Sequence, residues 1–167
     1  PIVQSSVYES DTLYLDHNID KKPDIAGAIF SERANRKDFS DPVTVIYGHN
    51  MKNGSMFKTL HSFEDAKFFK KNKFIYIYTE KRKLTYKIYS AYVYDDRHIL
   101  NSFNFEDKKI LKKYLKSTQN PQSLTKNTRK VDLSTDSKVL TLSTCTNGAA
   151  NTRYLVQGVL IKDEQTK

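Results

Sequence analysis

Three residues of this chain could together carry out acyl transfer through a thiol. The only cysteine, Cys145, ends an apolar run, and Arg153 follows eight residues later. His49 stands just past another apolar run and a glycine. A thiol supplies the nucleophile, an imidazole carries protons, and a guanidinium offsets the negative charge that develops on a carbonyl oxygen. We therefore expect Cys145, His49 and Arg153 to form one reactive site.

Two strands are needed to bring the thiol and the guanidinium together. Residues 139–144 alternate well enough to predict a strand, and residues 154–161 predict its returning partner. The small, polar, Gly-containing stretch 146–152 between them is typical of a loop. In such a hairpin, Cys145 and Arg153 lie close to each other at one rim of a sheet. Period-two alternation also places Ser143 on the same strand face as Cys145. There its side chain either lines a substrate groove beside Cys145 or forms a hydrogen bond with the backbone.

The other elements are mostly strands. The pattern of β-branched and aromatic residues predicts strands at 27–30, 43–47, 74–79 and 84–94. A short helix is predicted with Ser62 as its N-cap, and a longer one over 105–116 capped by Asn104 or Ser102. Many short strands with few helices predict a mainly β fold, a closed or nearly closed barrel carrying a helix or two.

Composition favours a single globular domain and limits the classes of site. The chain has 167 residues, eleven Tyr, nine Phe and a net charge of +9. Its basic residues are dispersed among acids, which favours a generally basic surface over a dedicated phosphate site. One cysteine excludes an internal disulfide, and no apolar run reaches membrane-spanning length. The histidines lack metal-ligand spacing and no phosphate-cradling glycine motif occurs, so we expect neither a metal nor a cofactor.

Each residue of the expected site also has a structural interpretation. A buried lone cysteine behaves as an inert small hydrophobe, and Arg153 alone could be a surface or ion-pairing residue. The other histidines (His17, His61 and His98) lie in polar, charged surroundings and are predicted to be surface residues.

Two segments resemble the signatures of class B sortases. They are residues 141–145, Thr-Leu-Ser-Thr-Cys, and residues 45–51, Val-Ile-Tyr-Gly-His-Asn-Met. Residues 1–4, 14–15 and 26–30 also resemble that family, so the similarity extends over essentially the whole chain. It implies an eight-stranded sortase-type closed β-barrel with a few short helices, including one before the strand that carries Cys145. It also implies one catalytic domain over residues 1–167, with the family's N-terminal membrane anchor outside this chain.

The resemblance implies a cysteine transpeptidase on the extracellular face of a Gram-positive cell membrane. Such an enzyme cleaves secreted proteins after the Thr of a C-terminal sorting motif, of a type near Asn-Pro-x-Thr in class B. It holds the product as a thioester and passes it to an amine of the peptidoglycan precursor. No cofactor or nucleic acid takes part, and the membrane is contacted only through the anchor.

The resemblance also assigns roles to residues. Cys145 is implied to be the nucleophile, His49 the general acid and base, and Arg153 the stabiliser of the oxyanion. Four further residues are implied to contact substrate: Leu15, Thr118, Ser123 and Leu124. The residue two positions after the cysteine, acidic in some relatives, is Asn147 here, so no third carboxylate partner is assigned.

Two other functions stay open at this point. One is a thiol endopeptidase that only hydrolyses its substrate. The other is a non-enzymatic basic β-barrel that binds an envelope polymer or nucleic acid.

Overall fold

The computed structural model describes all residues from Pro1 to Lys167, and its regular elements are mainly strands. The strands are β1 (Ile2–Val3), β2 (Ile29–Ser31), β3 (Val43–Tyr47), β4 (Phe74–Tyr78), β5 (Arg82–Asp95), β6 (Lys126–Thr128), β7 (Val139–Cys145) and β8 (Thr152–Gln165). The helices are α1 (Ala66–Lys71), α2 (Ile99–Ser102) and α3 (Lys108–Gln119), with 3₁₀ helices at Leu13–Leu15 and Phe57–Glu64. None of these helices is long and apolar enough to cross a membrane.

All eight strands belong to one sheet, in the order β1-β2-β3-β7-β8-β5-β4, with β6 paired to β5. The pairs β1–β2 and β3–β7 are parallel and the others are antiparallel. The mainly β fold with few helices is therefore confirmed. Closure of the barrel is not confirmed, because β1 and β4 end the sheet without pairing to each other.

Helix α3 packs its apolar stripe against the sheet and turns its lysines outward. Leu111, Tyr114 and Leu115 are buried in the largest core cluster, which includes residues of β3, β5, β7 and β8. The helix begins later than the sequence predicted, because the Asp107 carboxylate accepts hydrogen bonds from the N–H groups of Lys109 and Ile110. The predicted caps Asn104 and Ser102 are therefore wrong.

The predicted cap of the shorter helix is also wrong. Ser62 lies inside the 3₁₀ helix Phe57–Glu64, and α1 begins only after Asp65, whose carboxylate accepts from the N–H of Phe68 at 2.8 Å. The cap of α1 is thus Asp65, three residues after the predicted position.

A buried amide joins the sheet to helix α3. Gln157 of β8 is fully buried, and its oxygen accepts a hydrogen bond from the Tyr92 hydroxyl at 2.8 Å. Its nitrogen donates to Thr141 at 2.9 Å and to the Tyr114 hydroxyl at 3.3 Å. One side chain thus connects β5, β7, β8 and α3 below the edge of the sheet that carries Cys145.

Replacing Gln157 with leucine should destabilise the fold. Gln157→Leu leaves three buried hydroxyl groups without their partner, so we expect a loss of about 2–4 kcal/mol in the free energy of unfolding. Urea titration followed by circular dichroism measures this loss. The exposed Gln165→Leu is the matched control, expected to change stability by no more than about 0.5 kcal/mol. Equal effects of the two substitutions would contradict the role given to the buried amide.

Candidate functional site

Strand direction brings the three predicted residues to one edge of the sheet. Strands β3 and β7 are parallel, with Tyr47 paired to Ser143, so both end at the same edge. Strand β8 runs antiparallel to β7 and starts there, with Arg153 directly opposite Cys145. The predicted hairpin is confirmed. His49 follows the end of β3 by two residues and lies at the same edge.

The three side chains line a single cleft of about 200 Å³. Cys145 is exposed at the end of β7, and Leu15 and Ser143 also line the cleft. The far wall is polar and carries Glu32, which is buried, beside residues 95–98. No group of three or more His, Cys, Asp or Glu side chains is arranged to hold a metal ion.

His49 is fixed by the backbone pairing of Gly48 and by a carbonyl group that its imidazole contacts. The N–H of Gly48 donates to the Ser143 carbonyl at 3.2 Å, which extends the β3–β7 pairing by one bond. Gly48 is required here because a Cβ at this position would lie 2.7 Å from the Phe57 ring. The imidazole Nε2 contacts the Leu15 carbonyl oxygen. Since a carbonyl only accepts, Nε2 carries a proton and Nδ1 is left without a partner.

The guanidinium of Arg153 is held by backbone carbonyl groups, which leave its positive charge unneutralised. Its guanidinium donates to the carbonyl groups of Thr152 at 3.0 Å and Ala150 at 3.3 Å, and it forms no ion pair. The nearby carboxylate of Asp95 is instead paired with Arg97 at 2.7 Å. The positive charge of Arg153 is therefore available to an anion that forms in the cleft.

The far wall holds a histidine–carboxylate pair that the sequence did not reveal. His98, predicted to be a surface residue, lines the cleft and contacts the Glu32 carboxylate through Nε2. Burial raises the pKa of Glu32, and the neighbouring His98 acts in the opposite direction. Burial also raises the pKa of Tyr47, an effect that the Glu32 charge reinforces. Tyr47, which also lines the cleft, therefore stays neutral.

His61 is also not the surface residue that the sequence predicted. Its side chain is 9% exposed, and its Nε2 lies 2.9 Å from the carbonyl oxygen of Cys145. The only sequence signal for it is the three-residue spacing to Glu64, whose carboxylate contacts Nδ1 at 2.6 Å. That spacing is helical, but it does not reveal that the helix lies against the end of β7.

The residues predicted to bind substrate lie in different places in the structure. Leu15 and Ser143 line the cleft, and Ser123 lines a neighbouring cavity. Leu124 is fully exposed and lines neither. The expectation for Thr118 is corrected, because its side chain is fully buried in α3. Its hydroxyl bonds to the Tyr89 hydroxyl and the Leu115 carbonyl, both at 2.7 Å, so it faces the core and not a ligand.

Comparison with known proteins identifies the family. The Sortase domain family model matches residues 3–161. The chain is similar to sortase B of Listeria monocytogenes, with 31% identity over 96% of this chain and 64% of that protein. It is also similar to sortase B of Staphylococcus aureus, with 24% identity over 89% of this chain and 61% of that protein. It thus spans less than two thirds of the length of either relative.

The fold agrees with the sequence comparison. The structure of a mutant form of Clostridium perfringens sortase B aligns with a TM-score of 0.84 and 32% identity, over 97% of this chain and 75% of that one. Because the family model covers nearly the whole chain and a solved sortase B shares both its fold and about a third of its sequence, the chain belongs to the sortase family, and within it to class B.

Proposed function

We propose that this chain is a cysteine transpeptidase. It cleaves a protein after the Thr of a C-terminal sorting motif and joins the new carboxyl end to an amine of the peptidoglycan precursor. One observation carries the proposal: the exposed thiol of Cys145 shares a cleft with the imidazole of His49 and the unpaired guanidinium of Arg153. Membership of class B supports it.

The first chemical step forms a tetrahedral intermediate. The Cys145 thiolate attacks the carbonyl carbon of the motif Thr, a C–S bond forms, and the carbonyl π electrons move to oxygen. The guanidinium of Arg153 then donates hydrogen bonds to this oxyanion. Because its present partners are neutral carbonyl groups, its charge is not cancelled by a carboxylate.

His49 moves the proton in both halves of the reaction. The imidazolium protonates the leaving amide nitrogen as the C–N bond breaks, which leaves a thioester on Cys145. The neutral ring then takes a proton from the incoming amine as that amine attacks the thioester and expels the thiolate. With Nε2 bonded to the Leu15 carbonyl, Nδ1 is the nitrogen free to carry this proton.

The cleft and a second cavity offer a path for the motif peptide. Leu15 and Ser143 line the cleft beside Cys145. A cavity of about 800 Å³ adjoins it, shares Tyr94, Asp95 and Arg97 with it, and is lined by Ser123. We place the residues that precede the motif Thr along this second cavity. Leu124 follows Ser123 in sequence and is fully exposed, and its contact with the substrate stays a prediction.

The partners follow from this reaction. The substrates are secreted proteins that bear a C-terminal sorting motif, and the acceptor is the peptidoglycan amine. The enzyme then works on the extracellular face of a Gram-positive cell membrane. A net charge of +9 suits an anionic envelope. The reaction needs neither a cofactor nor a nucleic acid.

Removing the thiol should abolish cleavage and leave the fold intact. We expect Cys145→Ala to cleave none of a small library of peptides of the Asn-Pro-x-Thr type, because no thioester can form. Mass spectrometry of the unaltered chain should detect the acyl adduct on Cys145. Thermal unfolding shows whether the exposed substitution is tolerated. Cleavage by Cys145→Ala would end the proposed mechanism.

Loss of either charged partner should slow the reaction strongly. We expect Arg153→Ala to lower kcat by about 10²–10³-fold, as the loss of an oxyanion donor does, and His49→Ala by about 10²–10⁴-fold. Arg153→Lys should restore little, since an ammonium group lacks the planar fork of a guanidinium. The exposed Arg36, which does not line the cleft, provides the control Arg36→Ala. Near-normal turnover in Arg153→Ala or His49→Ala would remove the role given to that residue.

An added amine should separate transpeptidation from hydrolysis. A thioester undergoes aminolysis readily, so we expect triglycine or a diaminopimelate-type amine to yield a ligated product at the expense of the free acid. Chromatography with mass detection measures the ratio of the two products. Free acid alone at every amine concentration would identify a purely hydrolytic thiol endopeptidase.

A further inference from the structure

A second histidine lies behind the nucleophile, outside the cleft. His61 belongs to the 3₁₀ helix Phe57–Glu64, and its Nε2 is 2.9 Å from the carbonyl oxygen of Cys145. Because that oxygen can only accept, Nε2 is the donor of this hydrogen bond. The backbone of Cys145 is thus held by a side chain that does not belong to the strand.

The imidazole of His61 is itself fixed on its other sides. Its Nδ1 lies 2.6 Å from the Glu64 carboxylate, which sets the ring orientation. One face stacks on the Tyr154 ring, with centroids 5.0 Å apart and planes inclined by 26°. A carboxylate, an aromatic ring and a carbonyl group therefore hold the imidazole in one position.

A second donor reaches the same carbonyl oxygen from the segment that carries His49. The amide nitrogen of Asn50, the residue after His49, donates to the Cys145 oxygen at 3.1 Å and to the Asn147 side chain at 2.8 Å. Lys58 donates to the same Asn147 oxygen at 2.9 Å. The end of β7 is thus connected to the His49 segment and to the 3₁₀ helix.

We propose that His61, oriented by Glu64, is a positioning residue that fixes the backbone of Cys145 and thereby aims its thiol at the substrate carbonyl. This inference rests on the proposed transpeptidase function. Cys145 is the last residue of β7, and beyond it only a long hydrogen bond, from the Thr146 N–H to the Thr152 carbonyl at 3.4 Å, continues the pairing with β8. A misplacement of about 1 Å can lower a rate by about 10²-fold, which makes a fixed carbonyl at this point consequential.

Two substitutions at position 61 separate hydrogen bonding from packing. His61→Phe keeps a ring against Tyr154 but donates no hydrogen bond, whereas His61→Gln keeps an N–H donor and loses the ring. We expect His61→Phe to lower kcat for motif cleavage by about tenfold or more, with KM changed by less than about twofold. His61→Gln should recover part of kcat. A purely structural role would instead follow ring packing, with His61→Phe active and His61→Gln impaired.

The single cysteine allows a direct measurement of the hydrogen bond. Labelling cysteine with ¹³C at its carbonyl gives one resonance, that of Cys145. We expect it to move upfield in His61→Phe, where one of the two hydrogen-bond donors to this carbonyl is lost, and to return part of the way in His61→Gln. Glu64→Ala leaves Tyr154 and Cys145 untouched and should produce a smaller shift with a kcat loss of about threefold. Exposed Glu106→Gln is the control, expected to change neither.

Failure of this inference is distinguishable from failure of the proposed function. The function fails when the unaltered chain forms neither a thioester nor a cleaved peptide. The inference fails when the unaltered chain reacts but His61→Phe keeps its kcat within about twofold. An unmoved carbonyl resonance in His61→Phe also overturns it, and that result requires no substrate.

Discussion

The parallel pairing of β3 with β7 is the constraint on which the cleft depends. Strands that run in the same direction end at the same edge, so residues far apart in sequence, His49 and Cys145, reach one place. The antiparallel pairing of β7 with β8 then brings Arg153 opposite Cys145. A shift of either register by one residue would turn each side chain to the other face of the sheet.

Neutral backbone carbonyl groups hold the imidazole and the guanidinium at this edge of the sheet. The His49 imidazole bonds to the Leu15 carbonyl, and the Arg153 guanidinium bonds to those of Thr152 and Ala150. A neutral carbonyl group orients a donor and leaves the positive charge of that donor in place, whereas a carboxylate would cancel it. Two carboxylates of the cleft have other partners, since Asp95 pairs with Arg97 and the Glu32 carboxylate contacts His98. The guanidinium of Arg153 therefore keeps a positive charge that no carboxylate pairs with.

Local sequence predicted the strands better than the helix boundaries. Alternation and β-branched density placed β3 at its observed bounds, and β7 and β8 within a few residues, because a pleated strand displays its pattern directly. Helix starts were misplaced because several polar residues compete to cap a helix, and packing decides among them. Asp107 is chosen over Asn104 because residues 103 and 105 pack their rings on Tyr114 before α3 begins. The short strands β1 and β6 were not predicted, since β1 has only two residues and β6, Lys-Asn-Thr, contains no apolar residue.

By itself the sequence determined the family, the mainly β fold, and the meeting of Cys145 with Arg153, which needs only two strands and a short loop. Only the tertiary structure decided which histidines reach the site. It placed His61 against the backbone of Cys145 and His98 in the cleft, and it buried Thr118 in the core. The physical reason is that these positions depend on how distant segments pack. A polar residue in a polar stretch has the same local pattern whether the folded chain leaves it in solvent or covers it with another element.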